Sequence, residues 1–251
     1  MRKFGLIGYP LGHSFSAEYF ASKFDRENIV GCEYLLYPIE TIDNLPELLD
    51  SDNELIGLNV TIPYKREVLK YVDLVHESAR EIGAVNVLRI VREGNKRMVI
   101  GYNSDIAGVE GSLKPYLDRQ IKNALILGTG GASRAVAFTL KKFGIDFRLV
   151  SREGGENRLK YEQLTGDIIR GADLIVNTTP LGMYPEVDTK PPLDYDHLNS
   201  GHILFDVVYN PEVTAFLGEG EKRGCATIPG IIMFRLQAEQ AWNYWNGPYT
   251  L

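Results

Sequence analysis

The sequence feature that most constrains the fold is a glycine-rich stretch near the middle of the chain, GTGGAS at residues 128–133. Residues 124–127 before it are all apolar, as in a strand buried on both faces, and residues 132–143 have helical spacing. A strand, a tight turn and a helix in this order bring backbone N–H groups and the positive end of a helix dipole together, which suits a dinucleotide pyrophosphate. Because Ser133 stands where a third glycine is usual, this stretch alone leaves an ordinary β-to-α turn open.

The composition limits the kind of partner. A chain of 251 residues is long enough for two compact lobes. Its net charge of −6 argues against a nucleic-acid surface or an anionic membrane partner. No apolar run approaches the roughly 18 residues of a membrane helix, so a cytoplasmic protein is predicted. We expect free thiols at Cys32 and Cys225, and no metal, because the four histidines lack ligand spacing.

The order of the predicted elements divides the chain into two lobes. Up to about residue 101 the pattern predicts a small α/β lobe with mixed strands. Its predicted strands are residues 3–8, 32–37, 55–60, 85–91 and 97–100, the last two flanking a hairpin turn at Glu93-Gly94-Asn95, and its predicted helices are residues 16–28 and 63–72. From residue 124 strands and helices alternate, which predicts a parallel sheet with right-handed crossovers. A final helix at 231–245 is apolar on most faces and is expected to be buried.

Two polar clusters follow predicted strands of the first lobe. Ser14 and Ser16 stand where a helix begins, so their hydroxyls can hold a carboxylate; alternatively, Ser16 only caps the helix and Ser14 belongs to the turn. Thr61 and Lys65 stand where a strand turns into the predicted helix at 63–72. The dipole of that helix would favour proton release from the Lys65 ammonium, whereas the alternative is a solvated surface lysine.

Three further polar positions carry chemical information. Asn86 is a polar side chain in an apolar strand, where burial without a partner costs about 1–3 kcal/mol, so it needs a ligand or a protein partner. Asp105 offers a carboxylate where the lobes join, although Ser104 or Asp105 could equally cap the next helix. Arg152 lies 22 residues after Gly130, where a guanidinium suits a ribose 2′-phosphate and hence NADP. The carboxylate of Glu153 beside it opposes that preference.

Short motifs follow one another along the chain in a specific order. They are GHSFS at 12–16, NVTIPYK at 59–65, GAVN at 83–86, GYNSD at 101–105, GTGGASR at 128–134, NTTPLGM at 177–183 and DVVY at 206–209, completed by Gly230, Met233 and Gln237. With this ordered set the chain resembles the shikimate dehydrogenase family along nearly its whole length. The resemblance implies the NADPH-linked reduction of 3-dehydroshikimate to shikimate in aromatic amino acid biosynthesis.

The resemblance also implies the architecture and the roles of residues. A substrate-binding catalytic domain with a mixed sheet would comprise residues 1–103 and 231–251, and a Rossmann-like NADP-binding domain with a parallel sheet would comprise 104–230. Lys65 and Asp105 would be the catalytic pair. The substrate-binding residues would be Ser14, Ser16, Thr61, Asn86, Tyr209 and Gln237. The cofactor-binding residues would be Gly128, Gly130, Gly131, Ala132, Ser151, Arg152, Val207 and Gly230. No metal is implied, and a monomer or a homodimer is expected.

The chain departs from the family pattern in two places that bear on function. Ala17, Phe20 and Ala21 stand where the family commonly has Pro, His and Asn, and altered packing behind the hydroxyls is expected. Ser151-Arg152-Glu153 replaces Asn-Arg-Thr, and Gly154-Gly155 follows where another basic residue is common, which weakens the expected NADP preference. Two alternatives remain: an enzyme of this fold that uses quinate or NAD, and a non-catalytic sensor of shikimate-pathway ligands.

Overall fold

The structure is a computed structural model that describes residues 1–12, 14–94 and 96–248. The chain divides into two compact units, one made of Met1–Ser104 and Ala238–Leu251 and the other of Asp105–Gln237. Each unit is built on one six-stranded sheet. The boundary between the units falls inside the last helix, α8 (Gly230–Asn246).

The first unit is built on a mixed sheet. Its strands are β1 (Arg2–Gly8), β2 (Cys32–Pro38), β3 (Leu55–Val60), β4 (Leu74–Val75), β5 (Val87–Glu93) and β6 (Lys96–Tyr102), and its helices are α1 (Phe15–Arg26), α2 (Leu45–Ser51) and α3 (Glu77–Ile82). The strands lie in the order β2-β1-β3-β5-β6-β4, with β1 parallel to both β2 and β3, and β5 antiparallel to both β3 and β6. The predicted mixed lobe and the β5–β6 hairpin are confirmed. Asn95 of the hairpin turn lies outside the described residues.

Two local predictions in this unit are wrong. Ser14, not Ser16, is the N-cap residue of α1. The helix predicted at residues 63–72 is a tight turn followed by a short 3₁₀ helix, Glu67–Tyr71. Tyr64 explains the difference, because its ring is buried in the core and its hydroxyl donates to the Ile39 carbonyl at 2.7 Å. Tertiary packing therefore overrides the helical pattern here.

The second unit is built on a parallel sheet. Its strands are β7 (Asn123–Leu127), β8 (Asp146–Ser151), β9 (Arg158–Lys160), β10 (Leu174–Asn177), β11 (Ile203–Asp206) and β12 (Ala226–Ile228), and its helices are α4 (Asp105–Leu113), α5 (Gly131–Lys142), α6 (Gly166–Arg170), α7 (Ala215–Glu221) and the start of α8. The strand order β12-β11-β10-β7-β8-β9 is that of a doubly wound dinucleotide-binding sheet. From β7 the chain adds β8 and β9 on one side, and it then returns to add β10, β11 and β12 on the other side of β7. The strand order therefore reverses between β7 and β10. The predicted parallel sheet is confirmed.

An aromatic core lies between α1, β1 and the second half of α8 in the first unit. Phe20 is fully buried there, and its ring stacks on that of Tyr34 with centroids 4.7 Å apart. Trp245 closes the cluster 5.3 Å from Phe20 and donates its indole N–H to the Leu88 carbonyl. The residue that replaces the family histidine thus packs into the core.

Both cysteines are free thiols, as predicted. Within the described part of the chain, no helix has the length and apolar character needed to cross a membrane.

Candidate functional site

One edge of the mixed sheet gathers most of the predicted side chains of the first unit. The registers pair Ile7 with Val60, Asn59 with Val87, and Val87 with Tyr102. The carboxyl ends of β1, β3 and β6 and the start of β5 therefore meet at one edge, which we name the mixed-sheet edge. Ser14, Ser16, Thr61, Lys65 and Asn86 all lie in the segments that leave or enter the sheet there.

The backbone fixes Thr61 and Lys65 at this edge. The Thr61 N–H donates to the Ile7 carbonyl at 3.0 Å, and the Lys65 carbonyl accepts from the Val85 N–H at 2.8 Å. A Cβ on Gly8 would come within 2.5 Å of the Thr61 methyl group, so only glycine leaves room for Thr61. Both site residues are half-buried, which excludes the fully solvated lysine of the alternative interpretation. Because no α-helix begins here, the dipole argument for proton release from Lys65 does not hold.

Asn86 has a protein partner. It is 3 % exposed; its Oδ1 accepts from the Ser104 N–H at 2.7 Å, and its Nδ2 donates to the Ser104 hydroxyl at 3.1 Å. The amide is thereby held in one orientation, directly before the residue that begins the second unit, Asp105. Because α4 begins at Asp105, Asp105 is not the N-cap residue of that helix.

The serines lie at the start of α1. Ser14 is the N-cap residue, yet its hydroxyl makes no capping hydrogen bond within the described part of α1, and Ser16 lies in the first turn. Both side chains are half-buried. The interpretation of Ser16 as a cap is therefore wrong, and both hydroxyls stand where a helix N-terminus favours an anion. His13, between Gly12 and Ser14, lies outside the described residues.

The glycine turn of the second unit is shaped for close approach to a ligand. Gly128 has φ +109°, and a Cβ there would lie 2.7 Å from Thr178 Oγ1, so glycine is required for both conformation and space. A Cβ on Gly130, in contrast, would have no described heavy atom within 4 Å, and the first turn of α5 carries no acidic residue. Exposed backbone N–H groups at a helix N-terminus fit the pyrophosphate of a dinucleotide.

Ser133 explains how the turn functions without a glycine at position 133. Its side chain is 2 % exposed and its hydroxyl donates to the Gly130 carbonyl at 2.6 Å. The serine therefore fits the close packing at the start of α5 and adds a hydrogen bond that glycine lacks.

The segment after β8 contains the candidate residues for a 2′-phosphate. Ser151 accepts a hydrogen bond from the Gly154 N–H at 3.2 Å, while Arg152 and Glu153 are exposed. Sequence reasoning missed Lys160, which pairs with Ser151 in the β8–β9 register and whose Cγ would lie 2.7 Å from a Cβ on Gly154. The edge strand β9, which was not predicted, thus brings a second cation beside the segment that lacks one at 154–155.

Three predicted residues come together at the start of α4. Asp105 is its first residue and is 6 % exposed. Burial and, to a smaller extent, the charge of Asp105 raise the pKa of Tyr209, so the phenol lies near the carboxylate. A Cβ on Gly108 would meet Cβ of Gln237 at 3.3 Å, which places Gln237 against α4. Asp105, Tyr209 and Gln237 therefore form one cluster.

Gly230 and Val207 lie beside this cluster in the same unit. A Cβ on Gly230 would come within 2.3 Å of the Val208 carbonyl oxygen, so only glycine fits at the start of α8. The Val207 N–H donates to the Asn177 carbonyl at 3.0 Å. The predicted nicotinamide-side residues Val207 and Gly230 therefore lie close together, where the segment after β11 meets the start of α8.

A buried carboxylate that sequence reasoning did not assign lies at the end of β11. Asp206 is fully buried, and it accepts hydrogen bonds from Asn177 Nδ2 at 3.0 Å, from the Val208 N–H at 3.0 Å and from the Thr214 hydroxyl at 2.6 Å. Burial raises its pKa to about 7, although these three hydrogen bonds oppose the rise. The available sequence signal was a charged residue that ends a fully apolar strand.

Comparison with known proteins agrees with this arrangement. Residues 6–88 match the family model described as the shikimate dehydrogenase substrate binding domain. The chain is 36 % identical to a shikimate dehydrogenase (NADP(+)) from Methanococcus vannielii, over 97 % of this chain and 90 % of that protein.

Solved structures give the same result. The fold is similar to that of shikimate 5-dehydrogenase from Thermus thermophilus in complex with NADP(H) and shikimate, with TM-score 0.84, 28 % identity and coverage of 100 % and 95 % of the two chains. It is also similar to quinate dehydrogenase from Corynebacterium glutamicum in complex with NAD, with TM-score 0.85, 27 % identity and coverage of 98 % and 94 %. With the mixed-sheet edge, the glycine turn and this match over nearly the whole length, the chain belongs to the shikimate dehydrogenase family.

Proposed function

We propose that the protein is an NADP-dependent shikimate dehydrogenase that reversibly reduces the ketone of 3-dehydroshikimate to the hydroxyl of shikimate. The observation that carries this proposal is the 36 % identity over 97 % of the chain to a relative named for this activity. The residues of the motifs are those that a hydride-transfer enzyme needs: an anion-binding turn, an ammonium and a carboxylate.

The parallel-sheet unit would hold NADP. Gly128, Gly130, Gly131 and Ala132 would bind the pyrophosphate through backbone N–H groups. Ser151 and Arg152 would bind the 2′-phosphate, and Val207 and Gly230 would border the nicotinamide. When bound, the nicotinamide supplies or accepts the hydride.

Lys65 and Asp105 would perform the proton chemistry. A ketone that accepts hydride develops negative charge on its oxygen, and a nearby ammonium stabilises this charge and delivers the proton. In the reverse direction the Lys65 amine takes the proton from the shikimate hydroxyl. The Asp105 carboxylate would orient the ammonium and accept a hydrogen bond from a ring hydroxyl.

Six side chains would bind the substrate. The hydroxyls of Ser14, Ser16 and Thr61 would donate to the substrate carboxylate or ring hydroxyls, and the fixed amide of Asn86 would read one ring hydroxyl. Tyr209 and Gln237, clustered with Asp105, would contact the same small ligand. No metal takes part in this mechanism, since an ammonium performs the charge stabilisation.

The two units would divide these tasks. Residues 1–103 with 231–251 would form the substrate-binding catalytic domain, and 104–230 would form the NADP-binding domain. We further propose a cytoplasmic enzyme that acts on small molecules as a monomer or a homodimer, without a nucleic-acid or membrane partner.

A second candidate is an enzyme of the same fold that prefers quinate or NAD. Glu153 favours it, because a carboxylate next to Arg152 repels a 2′-phosphate, and the similar quinate dehydrogenase was solved with NAD. In an enzyme without the 2′-phosphate contact, Arg152 would contribute nothing to affinity.

A matrix of steady-state kinetics tests the proposal. Shikimate and quinate are each combined with NADP⁺ and NAD⁺, and the production of reduced cofactor is followed by absorbance at pH 8. We expect the largest kcat/KM for shikimate with NADP⁺. A larger kcat/KM in any other pairing would select the second candidate, and tight shikimate binding without turnover in all four would select a non-catalytic sensor.

A further inference from the structure

Three segments of the second unit converge on Asp206. Asn177 ends β10, Val208 follows β11, and Thr214 is the N-cap residue of α7. Each donates one hydrogen bond to the buried carboxylate, two to Oδ1 and one to Oδ2. One side chain therefore ties together the ends of two neighbouring parallel strands and the start of a helix.

The hydrogen bonds continue from Asp206 into the segments that border the ligands. Asn177 Oδ1 accepts from the Thr179 N–H at 3.0 Å and from its hydroxyl at 2.6 Å, and its Nδ2 also donates to the Leu181 carbonyl at 3.2 Å. Thr178, between them, donates to the Leu127 carbonyl at 2.7 Å, beside the glycine turn. Val208, whose N–H donates to Asp206, lies between Val207 and Tyr209 in the sequence.

We infer that Asp206 is a positioning residue: its carboxylate holds the Val207–Tyr209 segment in register with the glycine turn through Asn177, and Thr214 holds the carboxylate itself in place. This inference rests on the proposed function, since it assigns Val207 to the nicotinamide and Tyr209 to the substrate. Asp206 itself is fully buried and touches neither ligand; it acts through the backbone that carries these residues.

The hydrogen-bond pattern also predicts which substitution is tolerated. An amide at position 206 can place its oxygen at Oδ1, where it accepts from Asn177 and Val208, and its NH₂ at Oδ2, where it donates to the Thr214 hydroxyl. Asp206→Asn therefore keeps all three contacts, whereas Asp206→Ala leaves three buried donors without an acceptor.

The test compares D206A with D206N in steady-state kinetics and in amide hydrogen exchange. In D206A we expect kcat to fall by about tenfold or more, since displacement of a reacting group by an ångström can cost as much as 100-fold, with the KM for NADP⁺ nearly unchanged. Amide exchange at residues 177–181 and 207–209 should become faster. D206N should restore both the kcat and the slow exchange.

Several outcomes would overturn the inference. They are a folded D206A with unchanged kcat, slow exchange retained in D206A, or a D206N variant as impaired as D206A. If D206A does not fold, Thr214→Val and Thr214→Ser replace it: only the serine variant keeps the hydroxyl donor, and equal kcat in the two would contradict the inference. Inactivity of the unmodified enzyme would instead refute the proposed function, while the exchange experiment would still test whether Asp206 holds the Val207–Tyr209 segment.

Discussion

The two sheet edges present their ligand-binding groups in different ways. At the mixed-sheet edge, side chains from three separate segments would carry the proposed chemistry: hydroxyls, an ammonium and an amide. At the edge of the parallel sheet, the glycine turn offers mainly backbone N–H groups from one continuous stretch. The comparison teaches that a backbone site leaves one compact sequence signature, whereas a side-chain site is divided among short motifs between residues 14 and 86 that only the sheet brings together.

Removal of the Lys65 ammonium is expected to have the largest effect. Lys65→Ala should lower kcat by roughly 10³-fold, because both charge stabilisation and proton delivery are lost, while the KM for NADP⁺ stays nearly constant. Steady-state kinetics measure both quantities. The control is Lys70→Ala, an exposed lysine in the neighbouring 3₁₀ helix. Equal activity of K65A and K70A would show that the proton chemistry does not take place at the mixed-sheet edge.

Protonation of Asp206, in the parallel-sheet unit, should make the unfolding free energy of the protein depend on pH. Its folded-state pKa of about 7 lies above the ordinary aspartate pKa of 3.8, so the folded protein holds this proton more tightly. The stabilisation is complete below pH 3.8 and is lost as the pH rises to about 7. Between pH 5 and pH 8 the unfolding free energy of the unmodified protein should therefore fall by roughly 2–3 kcal/mol relative to D206N.

Urea denaturation of both proteins across this pH range measures the difference. Asp206→Asn removes the titrating group and keeps all three hydrogen-bonding partners, so the contributions of other carboxylates cancel in the comparison. Parallel pH curves for the two proteins would show that Asp206 does not titrate in this range.

A methyl group on the glycine turn should impair the cofactor and spare the fold. Gly130→Ala adds a Cβ with no described neighbour within 4 Å, so its melting temperature should stay the same. The methyl group would nevertheless block the approach of a pyrophosphate and raise the KM for NADP⁺ by roughly 10- to 100-fold. Gly218→Ala, equally open but on α7, is the control. An unchanged KM in G130A would place the pyrophosphate elsewhere.

Loss of the Arg152 guanidinium should act on one cofactor only. Arg152→Ala is expected to lower kcat/KM for NADP⁺ by about tenfold, the value of one charge-assisted hydrogen bond, and to leave NAD⁺ almost unaffected. Lys160→Ala should show the same selectivity with a smaller effect. Arg148→Ala, an exposed arginine on β8, the strand that precedes Arg152, serves as control. A loss of the same size with both cofactors would contradict a 2′-phosphate contact.

The smallest expected effect is that of Glu153. Glu153→Gln should raise the ratio of kcat/KM for NADP⁺ over NAD⁺ by about twofold, since an exposed like charge is largely screened by water. Glu162→Gln, also exposed, is the control. A fall in this ratio would mean that the carboxylate assists NADP binding.

The sequence predicted the parallel sheet better than the positions around Lys65. The apolar run and the glycine turn located β7 and α5 to within about one residue, because buried parallel strands carry a continuous apolar signal. The turn at 61–66 was predicted as a helix because burial of Tyr64, a tertiary effect, decides its conformation. The role of each site side chain came from the family motifs and stays a prediction. The partner of Asn86 and the hydrogen bonds of Asp206 could be found only in the structure, because they join residues that are 18 and 29 positions apart in the sequence.

The hydrogen bond from Ser133 to the Gly130 carbonyl bears on binding affinity. With glycine in place of Ser133, the turn would be more flexible before the cofactor binds, and the entropy lost in ordering it would oppose binding. The buried Ser133 hydroxyl instead donates a hydrogen bond to Gly130, the last residue before α5, so more of the turn becomes ordered when the protein folds. The turn is then preorganised for its anion, and Ser133→Gly would weaken cofactor binding without removing any atom that contacts the ligand.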